Sequence, residues 1–91
     1  MKVKWTSKAL LDLNRLFEFL ERVNKQAALF TVQSLTAAPL RIIEQPYIGE
    51  ILTEFDPREV RRLLIGHYEM RYEVNNDTLY VLRIWHTKEK R

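Results

Sequence analysis

The 91-residue chain contains no cysteine. That removes a disulfide framework, a thiol nucleophile and a cysteine zinc site together. With only two glycines and three prolines, it has neither a glycine-rich phosphate loop nor a low-complexity linker. The nucleophile elbow and the dinucleotide fingerprint are missing too. Its apolar stretches are short and broken by charge, so nothing in the pattern spans a membrane. The opening Met1-Lys2-Val3-Lys4-Trp5 carries no apolar signal core, which points to a cytoplasmic protein. Two histidines without a nearby ligand set predict no metal centre and no cofactor.

What remains suits one small domain spanning residues 1–91. Hydrophobic residues make up 46% of the chain, enough for a compact core, and 30% charged residues supply a solvated surface. The net charge is +3. Residues 1–57 hold seven basic and seven acidic side chains, whereas residues 58–91 hold eight basic against five acidic. The excess therefore lies in the C-terminal third. It suits either a solvated surface or a face for nucleic acid or an acidic protein.

Lys2–Trp5 alternates charged and apolar residues, predicting a short strand. Thr6 or Ser7 caps a helix through Val23, with Leu10, Leu13, Leu16, Phe17 and Leu20 forming its apolar stripe and Asp12, Arg15, Glu18 and Arg22 mainly on the wet side. Asn24 is the expected cap of a second helix through Ala28, Val32, Leu35 and Ile42. Pro39 predicts a kink or a restart within it, and Gln45-Pro46 its end. Residues 47–58 lack a period and read as a loop. Three strands follow: Val60–Ile65, Tyr68–Val74 and Thr78–Trp85. Gly66-His67 permits the first reversal, and Asn75-Asn76-Asp77 tolerates the left-handed backbone of the second. The expected fold is α+β, in the order β-α-α-β-β-β, with two helices on one face of an antiparallel sheet.

Period two sorts the strands into faces. Tyr68, Met70, Tyr72 and Val74 should meet the helices, joined by Tyr80, Leu82 and Ile84. Glu69, Arg71 and Glu73 look away, with Val81, Arg83 and Trp85 beside them. Such a face can hold phosphate or stack a base; equally, Arg71 and Arg83 can pair across strands with Glu69 and Glu73. His86 has the ordinary pKa range for proton transfer, yet a lone histidine at a strand end also serves as a hydrogen-bonded surface residue. His67 sits in a turn.

Several segments together resemble the RelE/ParE superfamily, toxins of bacterial type II toxin–antitoxin modules. These are Trp5 ahead of Ala9 and Asp12-Leu13; Ala27-Ala28; Gln45-Pro46 with Ile48-Gly49; Val60-Arg61-Arg62-Leu63; Gly66 through Val74; and Leu82-Arg83-Ile84-Trp85-His86. The resemblance implies one of two activities. RelE-like members cut messenger RNA on the ribosome; ParE-like members inhibit DNA gyrase without known cleavage chemistry. In RelE-like nucleases an arginine commonly follows the tyrosine matching Tyr68, whereas here Glu69 stands there and would repel a phosphate. The Arg-Ile-Trp-His ending and Tyr-x-x-Arg-Tyr strand lean toward the ParE-like group. For a nuclease, the resemblance makes Arg71 and Arg83 phosphate holders and His86 the acid or base, with Lys88 and Lys90 lending charge. It also implies a cognate antitoxin whose C-terminal segment wraps the toxin in a hetero-oligomer. Antitoxin or target would meet Arg61, Arg62, Trp85, Lys88, Lys90 and Arg91. A non-toxic relative kept as a binding module is a further possibility.

Overall fold

The computed structural model describes residues 1–89; Lys90 and Arg91, named above as binding residues, lie outside the described residues. The chain runs β1 (Lys2–Trp5), α1 (Ser7–Val23), α2 (Lys25–Ile42), β2 (Glu50–Ile51), a 3-10 turn (Thr53–Phe55), β3 (Glu59–Ile65), β4 (Tyr68–Asn75) and β5 (Thr78–His86). Both helix starts are capped by side chains. Thr6 accepts from the Ala9 amide and Asn24 from the Ala27 amide, each satisfying a donor that the first turn leaves unpaired.

Helix α2 runs through Pro39 to Ile42 without a restart. The proline lies within the last turn, so its missing N–H removes one bond near an end that frays in any case, and its ring is buried. The stretch 47–58 is not purely a loop. It contains β2, paired antiparallel with β3 (Glu50 opposite Arg62, Ile51 opposite Arg61), and the 3-10 turn. Two residues are too few to show a period.

The five-stranded sheet has the order β1-β5-β4-β3-β2. It is antiparallel except at β1, which lies parallel to β5. The β4–β5 reversal follows the expected chemistry, with Asn76 and Asp77 both left-handed at φ 51° and 59°. Ala9, Leu35, Ala38 and Ile42 from the helices close over Met70, Tyr72, Leu79, Val81 and Ile84 to form the core.

One register detail overturns the expected faces of β5. Arg71 pairs with Arg83, but Tyr72 pairs with Val81, so an extra residue of β5 bulges out between them. The alternation flips there. Val81 turns into the core rather than onto the outer face, while Tyr80 sits opposite outer-face Glu73 and Ile84 remains beneath the helices. Arg83 and Trp85 do lie across from Arg71 and Glu69 on the outer face. That face is not open. Glu69 is 1% and Trp85 7% exposed: Phe55 of the 3-10 turn and the Trp85 ring lie on either side of the Arg71 guanidinium, and Arg62 reaches Glu69.

Candidate functional site

Strand β1 ends opposite Val81, leaving the rest of β5 without a strand neighbour on that side among the described residues. Side chains from the start of α1 take the vacant positions. Thr6 Oγ1 donates to the Val81 carbonyl at 2.8 Å. Asp12 Oδ2 accepts from the Ile84 amide at 2.9 Å and from Arg83 Nε at 2.8 Å, while Oδ1 accepts from Arg83 Nη2 at 3.2 Å. Arg15 Nη2 adds a further bond to Oδ1 at 3.2 Å. Asp12, expected on the wet side, is 5% exposed, and its carboxylate raises the Arg83 pKa above the ordinary guanidinium range through that hydrogen bond. A signal for this was present: Asp12 falls between Ala9 and Leu16 at the three-and-four spacing of the buried stripe.

Beyond this clamp, α1 and the end of β5 diverge around a cleft of about 870 Å³. Leu16, Phe19 and Trp85 give it apolar walls; Arg15, His86 and Lys88 line it with positive or titratable groups, and Glu89 is acidic. Arg71 and Arg83 also reach it. The structure therefore brings Arg71, Arg83, Trp85, His86 and Lys88 to one place. Arg61 and Arg62 do not line the cleft, although Arg62 Nη1 reaches Glu69 at 3.4 Å. Arg61 binds Glu59 and the Tyr47 and Gly49 carbonyls, and Arg62 binds Glu50 at 2.6 Å.

The arginines at the cleft are already engaged. The Arg71 guanidinium lies 4.8 Å from the Trp85 ring centroid and 5.5 Å from that of Phe55, with Glu69 at 3.4 Å. Its Nε is buried without a hydrogen-bond partner among the described residues. Arg83 stacks on Trp85 at 5.3 Å. Arg58 lies over Phe55 at 5.9 Å and makes a paired contact with Glu73, at 2.7 and 3.1 Å. Arginine and ring thus alternate across the outer face, balanced by Glu69, Glu73 and Asp12. Cation–π contact and bidentate pairing explain why arginine rather than lysine occupies these positions. Phe55 could not be placed in this stack from the sequence, since it comes from the aperiodic segment.

His86 touches Tyr68 edge-on at 5.3 Å and stacks near His67 at 6.1 Å. Its Nδ1 accepts the Lys88 amide at 3.1 Å, which places a neutral ring's proton on Nε2. Burial and nearby Glu89 raise the Tyr68 pKa. No group of three or more histidines and carboxylates suited to a metal occurs among the described residues, nor is any described helix long and apolar enough to cross a membrane.

The family model for the ParE toxin of the type II toxin–antitoxin system parDE matches residues 3–91. The chain belongs to the ParE toxin family. It is the toxin of a type II pair, and the pair implies a cognate antitoxin. A solved structure titled "Chromosomal ParDE TA system from P. aeruginosa" matches with a TM-score of 0.78 and 24% identity, over 94% of this chain and 95% of that one. That likeness shows a shared fold. Among curated proteins, none matches. Arg71 and Arg83 at the cleft each have a carboxylate close by. A phosphate approaching Arg83 meets Asp12, and one approaching Arg71 meets Glu69.

Proposed function

We propose that this ParE-family toxin arrests growth in the cytoplasm by binding and inhibiting DNA gyrase, with no cleavage chemistry of its own, and that its cognate antitoxin neutralises it. The observation carrying this reading is the inward pairing of the arginines. A nuclease needs cationic groups free to meet charge developing on the phosphate, and Arg83 spends Nε and Nη2 on Asp12 while Arg71 lies between two rings. Family membership supports the toxin assignment, and the ParE-like resemblance supplies gyrase as the target.

The cleft is the proposed contact surface. Lys88 lies on it beside Arg15, with Trp85 and Phe19 as apolar walls; Lys90 and Arg91 extend the basic tail in sequence. Arg61 and Arg62 hold the β2–β3 region together and contribute little free charge. Induced expression without the antitoxin tests the reading. Growth should arrest while a reporter message stays intact, and co-expression of the antitoxin should restore growth. Message cleaved in translating cells would overturn it in favour of a RelE-like nuclease. Unimpeded growth would instead indicate a non-toxic binding module.

A further inference from the structure

Residues 87–89 do not trail away from β5. They fold back on its end, and His86 is the fastening. Its Nδ1 accepts the Lys88 amide at 3.1 Å, a side-chain bond to the amide two residues on, of the kind that asparagine and aspartate make in turns. The backbone closes around it. The Thr87 amide donates to the His67 carbonyl at 2.9 Å and the Glu89 amide to the His86 carbonyl at 3.0 Å, while Glu89 Oε1 accepts the His86 amide at 3.1 Å. Edge contact with Tyr68 and near-parallel stacking beside His67 orient the half-buried ring. The turn borders the α1–β5 cleft and sets Lys88 and Glu89 on its wall.

A backbone amide can only donate, so this bond needs a bare Nδ1 and hence a neutral ring. A further proton makes both ring nitrogens donors. Two N–H groups would then face each other across the 3.1 Å contact, and either the ring turns away or the Lys88 amide leaves. Histidine is the residue type that changes charge between about pH 5 and 8. The charges around His86 do not replace the lost bond. Lys88 on the turn, with Arg15, Arg71 and Arg83 lining the cleft from α1, β4 and β5, oppose another positive charge, as does His67 once protonated. Asp12 is committed to Arg83 and the Ile84 amide. Glu89 alone attracts an imidazolium from within the turn, and doing so draws its carboxylate off the His86 amide. Tyr68, its pKa raised by burial, presents a neutral phenol throughout this range. We propose that His86 is a proton-operated latch on the C-terminal turn: the neutral ring fixes Lys88 on the cleft wall, and the protonated ring releases it. The latch rests on this geometry; that it regulates a toxin's contact surface rests on the function proposed above.

The test is a pH series of amide relaxation on the full-length isotope-labelled chain, from about pH 8.5 to about pH 5.5, with the ring protons of His86 and His67 followed in the same samples. The order parameters of the Lys88 and Glu89 amides should fall from about 0.8 to about 0.6, in one step that tracks the His86 ring. The β4–β5 amides should stay unchanged and serve as the folding control. His86→Asn supplies an oxygen that accepts the same amide and takes up no proton in this range, so its turn should stay ordered throughout. His86→Ala should be loose at both extremes, and His67→Asn should leave the transition in place. Equal order at both extremes in the unaltered chain, a transition that follows His67 and disappears in His67→Asn, or the same transition in His86→Asn would each overturn the proposal. Gyrase inhibition is read separately. A chain that blocks gyrase with a turn indifferent to pH refutes the latch alone; one whose turn loosens with His86 but spares gyrase at every pH refutes the target alone.

Discussion

Asp12 shows how one side chain joins the helical layer to the sheet. It caps a backbone amide of β5, pairs with Arg83 and receives Arg15. Asp12→Ala leaves the Ile84 amide and the half-exposed Arg83 without their carboxylate and should cost about 2–3 kcal/mol, measurable by urea denaturation. Tyr72 makes the corresponding joint on the opposite side of the core. Its hydroxyl donates to the Pro46 carbonyl and accepts the Gly49 amide, both at 2.9 Å. A Cβ on Gly49 would stand 2.7 Å from that hydroxyl and 2.8 Å from the Arg62 carbonyl. Gly49→Ala should therefore destabilise by about 1–3 kcal/mol through overpacking. Burial raises the Tyr72 pKa. The folded state thus favours the neutral phenol, and its contribution is fully present below the ordinary tyrosine value near 10 and lost as pH rises through the higher folded value. Denaturation midpoints should fall on the alkaline side of pH 10, and less steeply in Tyr72→Phe. An equal alkaline slope in both proteins would contradict this assignment.

At the scale of elements, the features legible in the sequence were those that repeat. The three-and-four stripe marked α1, unbroken alternation marked β4, and Asn-Asn-Asp marked the last reversal. What escaped the sequence was singular. A bulge in β5 changes which residues share a face without leaving a periodic trace, so Val81 was assigned to the wrong side while Arg83 and Trp85 were assigned correctly. The parallel placement of β1 depends on where α1 and α2 return the chain, and β2 and Phe55 lie in a segment with no pattern. Arg71, Arg83, Trp85, His86 and Lys88 were legible as a group because they come from two adjacent strands and a tail. Their engagement with Asp12 and Phe55 was not, since those partners are distant in sequence. The turn also yields a stability prediction. Asp77 holds φ 59°, a conformation glycine adopts without strain, and its contact to the N-terminus is long (3.8 Å) and exposed. Asp77→Gly should raise the melting temperature by about 2–6 °C.

At the scale of the whole molecule, the fold reserves most of its arginine charge for itself. Arg58, Arg62, Arg71 and Arg83 each meet a carboxylate, so among the described residues these four arginines of the C-terminal third are paired rather than left open to a phosphate. What reaches solvent is a mixed cleft between α1 and β5, with exposed Phe19 and the basic groups of Arg15 and Lys88, better matched to a protein surface than to a nucleic-acid backbone. The most direct measurement is DNA supercoiling by purified gyrase with increasing amounts of this protein. The account predicts dose-dependent loss of supercoiling, weakened by Arg15→Glu together with Lys88→Glu. Undiminished supercoiling at a large molar excess of folded protein would contradict it.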